Sequence, residues 1–507
     1  YFFALILTMA ITIHLIVRYR ELSSKGYKNQ KNLLLDTVKL MIKPCFFTVI
    51  TTIAGFSSLI LSGLLPVINF GWMMSVGVTI SLILTFIMFP ALMNEFKILK
   101  PNTSFDRVFN LPNKIAEFTI IYKKIIFSVA IALAIVSVYG GLNLKVENSF
   151  IDYFKSNTEI HKGMKVIDQD LGGTTLLDVT LDFNNKENPK TEVVIEPDEF
   201  DDIFDEFDEV SNDPKYWFTR DKMIKIENLH DYLDSLEHTG TVLSFATILK
   251  IGRLLNNGND LDSVQLGLLY EKLPEEYKKI ILKPYISTEY NQAKITLRVK
   301  DSDPSLRRNQ LINKIKNEAA SVVGVKSEDI KLSNILILYN NMLQSLFNSQ
   351  IKTLGLVVLV LFCMFLILFR SLKISLIALV PNLLSIGSVL GLMGILSIPL
   401  DMMTITIAAI SMGIAVDNTI HYIFRHRSEF LHHKEYEKAM ISSHNSIGYA
   451  LYYTTLTIIV GFSILVFSNF IPSIYFGLLT SLAMLVALLA SLTLVPRLLS
   501  LFKPYRI

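Results

Sequence analysis

Apolar residues in this chain gather into blocks of about 20, the length an α-helix needs to cross a hydrocarbon core of ~30 Å. Nine blocks are read, at about 1–17, 43–63, 70–94, 121–141, 351–370, 374–398, 402–424, 449–469 and 473–499. Between the fourth and fifth lies one polar stretch, about 142–350. It is far too long for a connection between helices, so it is expected to form a domain of its own.

Inside that stretch the pattern changes to soluble periodicities. Leu176–Phe183 (LLDVTLDF) alternates as a strand does, after a helical stretch at about 158–169 and a Gly172-Gly173 turn. Residues 219–238 set Ile224, Ile226, Leu229, Leu233 and Leu236 on a broad apolar helical face. Residues 293–300 alternate again, followed by a helix at about 305–321 and a strand near 329–336. Strand–helix–strand, met twice, predicts small ferredoxin-like α+β modules.

Composition agrees with the blocks. Of 507 residues, 51% are hydrophobic and only 18% charged, against about a quarter charged in soluble domains. The two cysteines, Cys45 and Cys363, both stand in apolar blocks and read as small buried hydrophobes rather than a disulfide or metal pair. Tyr1 opens inside an apolar block, without the basic start and cleavage site of a signal peptide. The sequence is therefore expected to lack an N-terminal portion.

Charge sets the orientation. Residues 141–350 hold 35 acidic and 25 basic residues, and the rest of the chain holds 10 acidic and 23 basic. The basic residues cluster after blocks 1, 3, 5, 7 and 9, at Arg18 and Arg20, Lys97 and Lys100, Arg370, Arg425 and Arg427, and Arg497. Alternate loops such as 64–69, 399–401 and 470–472 carry almost none. Basic loops stay on the cytoplasmic side, so 142–350 is expected outside. Membrane topology explains the basic excess, and nucleic-acid binding is excluded. The acidic run from Glu196 to Glu209 lacks the ligand spacing and turn glycine of a calcium loop and reads as a solvated insertion.

Residues 44–96 and 450–502 match at a constant offset of 406. Thr48, Thr51, Gly55, Phe56, Ser57 and Ser62 meet Thr454, Thr457, Gly461, Phe462, Ser463 and Ser468; Pro66, Gly71 and Pro90 meet Pro472, Gly477 and Pro496. One residue of slippage upstream brings His14, Arg18 and Arg20 onto His421, Arg425 and Arg427. Such a parallel repeat is related by an axis along the membrane normal. The second copy has one helix, an outer domain and five more helices; the first retains three helices.

The seventh block, DMMTITIAAISMGIAVDNTIHYIFRHR, carries Asp417, the one acidic residue well inside an apolar block. It stands eight residues before Arg425, about 12 Å along a helix, and so near the bilayer midplane. An ionisable group there is costly and points to function; a structural Asp capped by hydroxyls is the alternative. His421 lies one turn away on the same face, as a relay partner or as an interfacial histidine. Asn418 adds polarity, and Thr454 and Thr457 in block 8 either line a proton path or bond back to their own helix. Gly413, Gly55 and Gly461 are expected to let helices approach closely. At the position matching Asp417 the first copy has Ala10, which would leave the acid in one repeat only. Met402, Met403, His432 and His433 have no metal-site spacing, and no metal or cofactor is expected.

The segment SLKISLIALVPNLLSIGSVLGLMGILSIPLDMMTITIAAISMGIAVDNTIHYIFRHRSEF resembles the helix 8–10 region of RND-superfamily permeases, on the branch shared by the mycobacterial-membrane-protein-large (MMPL) and Patched-like, sterol-sensing bundles. Gly413 to Asp417 matches that family's G-x-x-x-D proton-relay motif. The resemblance implies a polytopic α-helical bundle with nine of twelve helices present and a porter-like α+β outer domain. Its segments would be 1–99 (last three helices of the first repeat), 100–120 (cytoplasmic linker), 121–141 (helix opening the second repeat), 142–350 (outer domain) and 351–507 (five helices). It further implies proton-driven export of hydrophobic or lipid-like molecules from a bacterial inner membrane, with protons and membrane lipids as partners and room for a homo-oligomer or a periplasmic partner. A sterol-sensing-type sensor and a protein-export accessory of the same superfamily are the rival readings. No nucleotide loop, catalytic triad or zinc motif marks an enzyme.

Overall fold

The computed structural model describes residues 2–24, 26–27, 29–96, 111–144, 149–184 and 217–505. The acidic run Glu196–Glu209 and the basic residues Lys97 and Lys100 lie outside them. The chain divides into two compact units, Tyr1–Asn148 with Leu343–Ile507, and Ser149–Met342.

Among the described residues the first unit is built of helices and holds no strand. Its helices are α1 (Phe2–Ser23), α2 (Gln30–Ser57), α3 (Leu65–Asn94), α4 (Leu111–Ile121) and α5 (Lys123–Leu142). In the second repeat, α11 (Ile335–Phe369) carries the chain into the unit, followed by α12 (Leu372–Ile395), α13 (Thr404–His433), α14 (Tyr436–Ser443), α15 (Tyr449–Ser463) and α16 (Ile471–Phe502). Among the described residues eight helical stretches are long and apolar enough to cross a membrane: Gln30–Ser62, Leu65–Asn94, Lys123–Leu142, Ile335–Phe369, Leu372–Ile395, Thr404–His433, Tyr436–Phe467 and Ile471–Phe502. The first apolar block forms the 22-residue α1, which packs on α2, α3 and α15. This is a multi-pass membrane protein.

The internal repeat becomes a packing symmetry. It relates α1 to α13 and α2 to α15. In the fold α13 packs on α2, and α1 packs on α15; the same kind of interface is used twice. The two copies differ where they touch. A methyl group built on Gly55 would stand 2.9 Å from Gly413 Cα and 3.0 Å from the Ala409 carbonyl oxygen, so backbone meets backbone. At the mate, a methyl on Gly461 would meet the side-chain tip of Ile6, at 2.6 Å.

Buried share ranks the helices. Inside the bundle 89% of the apolar stretch of α13 is buried, against 22% for α3 and 11% for α5. Polar side chains on α13 therefore face protein rather than lipid, where an unpaired polar group would cost most.

The second unit is α+β, with α6 (Glu159–Asp170), β1 (Thr175–Asp182), α7 (Arg220–Asp234), β2 (Thr239–Leu243), α8 (Phe245–Leu255), α9 (Ser263–Lys272), β3 (Ile286–Ser287), β4 (Gln292–Val299), α10 (Arg308–Val323) and β5 (Ile330–Ser333). Its strands order as β2-β4-β1-β5, with β3 beside β4, and every recorded pairing is antiparallel. Two strand–helix–strand units, β1-α7-β2 and β4-α10-β5, share one ferredoxin-like sheet rather than forming separate modules, and β2 (Thr239–Leu243) is a strand the sequence pattern did not mark. Each unit's strands are parallel and separated, and a strand of the other unit fills the gap. Leu177, Val179 and Leu181 on β1 and Ile295, Leu297 and Val299 on β4 are fully buried against Leu229, Leu233, Ile315 and Ala319 of α7 and α10. Gly172 and Gly173 turn the chain into β1 at φ +85° and +125°, where a side chain would be strained. Asp168 ties α6 to this sheet: its carboxylate accepts the backbone N–H groups of Thr174, Asp301 and Ser302 and the hydroxyls of Thr174 and Ser302. Burial works against its charge, but those bonds hold its carboxyl below the usual range.

Candidate functional site

The start of α13 is fixed by Asp401. Its Oδ1 accepts the N–H groups of Met403 and Thr404, each at 2.8 Å, and Thr404 Oγ1 accepts the Asp401 N–H at 2.8 Å. This reciprocal cap satisfies donors that a buried helix end would otherwise orphan. From there the helix runs unbroken through Asp417 and His421, with its other end at Lys434 in the left-handed region.

Asp417 meets two imidazoles, one from each repeat. His14 Nε2 on α1 donates to Asp417 Oδ2 at 3.2 Å. His421 Nε2, one turn along α13, lies 3.3 Å from Oδ1 but off the line of a good hydrogen bond. The two rings stack face to face, with centroids 4.0 Å apart and planes 8° from parallel. Both histidines are buried, at 2% and 3% exposure, and His14 Nδ1 has no partner among the described residues.

The arrangement constrains the chemistry. Two imidazolium charges at that separation would repel by about 4 kcal/mol at an effective dielectric of 20. The carboxylate bonds one histidine and stands beside the other. The three ligand atoms lie within 4.8 Å of one another, close enough to suggest a metal. Stacked rings, however, keep their in-plane lone pairs in parallel planes that never converge on one ion. The three side chains form one cluster of ionisable groups where α1 meets α13.

The other predicted residues lie nearby in different roles. Asn418 Nδ2 donates to Thr455 Oγ1 at 3.2 Å, tying α13 to α15. Thr454 Oγ1 donates to the Leu451 carbonyl at 3.0 Å and Thr457 Oγ1 to that of Tyr453 at 2.9 Å, so both hydroxyls bond back to their own helix. Neither bonds Asp417 among the described residues. Gly413 sits one turn before Asp417 at the contact with Gly55, where Thr52 Oγ1 donates to the Gly413 carbonyl at 3.0 Å. Gly461 serves the mate contact on α15. Beyond the cluster, Arg425 bridges Glu21 at 2.8 Å and Glu429 at 2.9 Å, and Arg18 pairs with the same Glu21.

His14 is the functional candidate that the sequence reading passed over. Matching the first repeat to Asp417 gives Ala10, which places the acid in one repeat only. The signal was present as the His14–His421 match. Residues related by an axis between two helices meet each other when they lie close to it, and these two stack.

The MMPL family model matches residues 228–504. A protein of Methanocaldococcus jannaschii described as a membrane protein is 24% identical over 383 residues, 73% of this chain and 89% of its own length. The hopanoid transporter HpnN of Burkholderia multivorans is 33% identical over 110 residues, 21% of this chain and 12% of its own. Two solved structures share the fold at 13% identity. The hedgehog release protein Disp of the water bear Hypsibius dujardini aligns with a TM-score of 0.58 over 98% of this chain and 62% of its own. SecDF of Thermus thermophilus, a translocon-associated membrane protein, aligns with 0.50 over 99% and 54%.

Proposed function

The chain belongs to the MMPL family, and from that premise we propose that it exports hydrophobic or lipid-like molecules, driven by protons that pass through the His14–Asp417–His421 cluster. Transport of lipophiles at the family level and the likeness to a hopanoid transporter support the substrate class. The observation that carries the coupling is the partly buried Asp417 carboxylate set against buried imidazoles of both repeats.

In this reading the basic ends of the helices face the cytoplasm, 142–350 faces outward, and the membrane is a bacterial plasma membrane. A proton reaching Asp417 or its histidine partners changes the charge of a group at the α1–α13 seam. That change alters which helix α13 is bonded to, His14 on α1 or its own His421. Because backbone meets backbone where Gly413 of α13 crosses Gly55 of α2, with Thr52 bonding the Gly413 carbonyl beside it, a small tilt of α13 is passed directly to α2. Asn418 moves α15 with α13. Thr454 and Thr457 retain lone pairs on hydroxyls whose protons are engaged, and so can accept a bond from water in the path.

Asp417→Asn keeps size and polarity but cannot ionise. It is expected to insert normally and to abolish proton-dependent export, with hydrophobes retained in the membrane, measured by lipid profiling of cells at matched protein levels. Undiminished export by Asp417→Asn would remove the coupling role.

A further inference from the structure

Beside the histidine cluster, at the basic end of the same bundle, α1, α2 and α13 together with Ser446 and Ile447 line an open-sided cavity of about 330 Å³. His14 and His421 form part of its wall. Val17, Leu40, Met41, Pro44, Phe424 and Ile447 make most of the remaining lining apolar. Four cations also line it, Arg18, Lys39, Lys43 and Arg425, against one carboxylate, Glu21. Glu21 is already shared by the two arginines. Lys39 and Lys43 stand one turn apart on α2, and neither has an acidic partner among the described residues. Lys43 Nζ sits 5.9 Å over the Phe424 ring, where apolar wall and positive charge meet.

An excess of unpaired positive charge beside an apolar hollow is complementary to one chemistry, an anionic head on a hydrocarbon chain. A small soluble anion would leave the apolar wall unused, and a neutral lipid would leave the lysines unused. We propose that this cavity binds an anionic phospholipid of the adjacent leaflet, its phosphate between Lys39, Lys43 and Arg18 and the first part of its acyl chain along Val17, Leu40 and Phe424. A chain seated there lies against His14 and His421, so the bound lipid would also limit water at the proton cluster. The lipid site stands on its own geometry and does not depend on the export reading.

The test is native mass spectrometry of the purified full chain in detergent, with added phosphatidylglycerol, phosphatidylcholine or inorganic phosphate. Phosphatidylglycerol is expected to be retained and the other two not. One lysine near an anionic headgroup is worth about fivefold in affinity, so Lys39→Gln with Lys43→Gln should lower phosphatidylglycerol retention by about twenty-five-fold. Lys31→Gln with Lys434→Gln removes the same charge from the basic end outside the cavity and should change retention little. Equal loss from both pairs would mean diffuse surface attraction and overturn the site. Equal retention of phosphatidylcholine would overturn the anionic head. Displacement of the lipid by inorganic phosphate at matched concentration would overturn the amphiphile in favour of a free-anion site.

Discussion

Replacing Gly55 by alanine should cost more stability than replacing its repeat mate Gly461, although the built methyl is the more crowded at Gly461. At Gly461 the obstacle is Ile6 Cδ1, 2.6 Å away, the far end of a flexible side chain. Turning Ile6 from its preferred rotamer costs about 0.5–1.5 kcal/mol. At Gly55 the obstacles are Gly413 Cα at 2.9 Å and the Ala409 oxygen at 3.0 Å. Carbon atoms in good contact stand about 3.5–4.0 Å apart, so the methyl intrudes on Gly413 by roughly 0.6–1.1 Å. Backbone cannot rotate away, and α2 and α13 must separate as bodies. Overpacking of that kind costs about 1–3 kcal/mol. The Thr52–Gly413 hydrogen bond, 3.0 Å now, would stretch past useful length and forfeit about 0.5–1.5 kcal/mol more. Unfolding of each variant in detergent, followed by circular dichroism, measures the order. Ile6→Ala should rescue Gly461→Ala, while no side-chain truncation should rescue Gly55→Ala. A Gly461→Ala variant as unstable as Gly55→Ala, or more so, would refute the account of the two interfaces.

Three further outcomes are expected. In a chain with Cys45 and Cys363 replaced, Asn259→Cys in the exposed loop before α9 should react with an impermeant thiol reagent on intact cells stripped of their outer layers; reaction only after lysis would reverse the orientation. Arg308 and Asp301 form an ion pair in the second unit with side chains only 3% and 1% exposed, so Arg308→Ala should destabilise that unit by about 3–5 kcal/mol, read from Trp217 fluorescence with Trp72 replaced; a change under about 1 kcal/mol would show the pair contributes no more than an exposed one. The carboxyl of Asp303 is held down to about 2 by hydrogen bonds from Ser305, with His238 adding to them. A depressed carboxyl stabilises the fold above its unfolded value, about 4, and that stability is lost as pH falls from there through about 2. Asp303→Asn should flatten the acid limb of the Trp217 signal in that window, and an unchanged limb would assign it to other groups.

The helices and the outer fold class were legible because both rest on local, periodic facts. A run of about 20 apolar residues must bury its backbone polar groups within itself in lipid, whatever its neighbours are. Alternation in Leu176–Phe183 and residues 293–300 likewise follows from which face of a strand is wet. Which strands pair was not legible. Interleaving of the two strand–helix–strand units brings residues more than 100 apart in sequence into register, as in Thr175 opposite Val299, and no local pattern encodes that.

At the candidate site the division runs the same way. The sequence by itself determined that a carboxylate lies deep in an apolar helix with a histidine one turn on, since burial cost and helical spacing need only the chain. It also carried the repeat, and with it the identity of His14 as the mate of His421. Only the tertiary structure decided that α1 and α13 face each other closely enough for the two imidazoles to stack and share Asp417. It likewise decided that Gly413 meets Gly55 while its mate position, Ile6, meets Gly461. The repeat makes the two halves equivalent in outline, but the contacts are set by side-chain volume and approach distance, and these emerge only when the helices are packed.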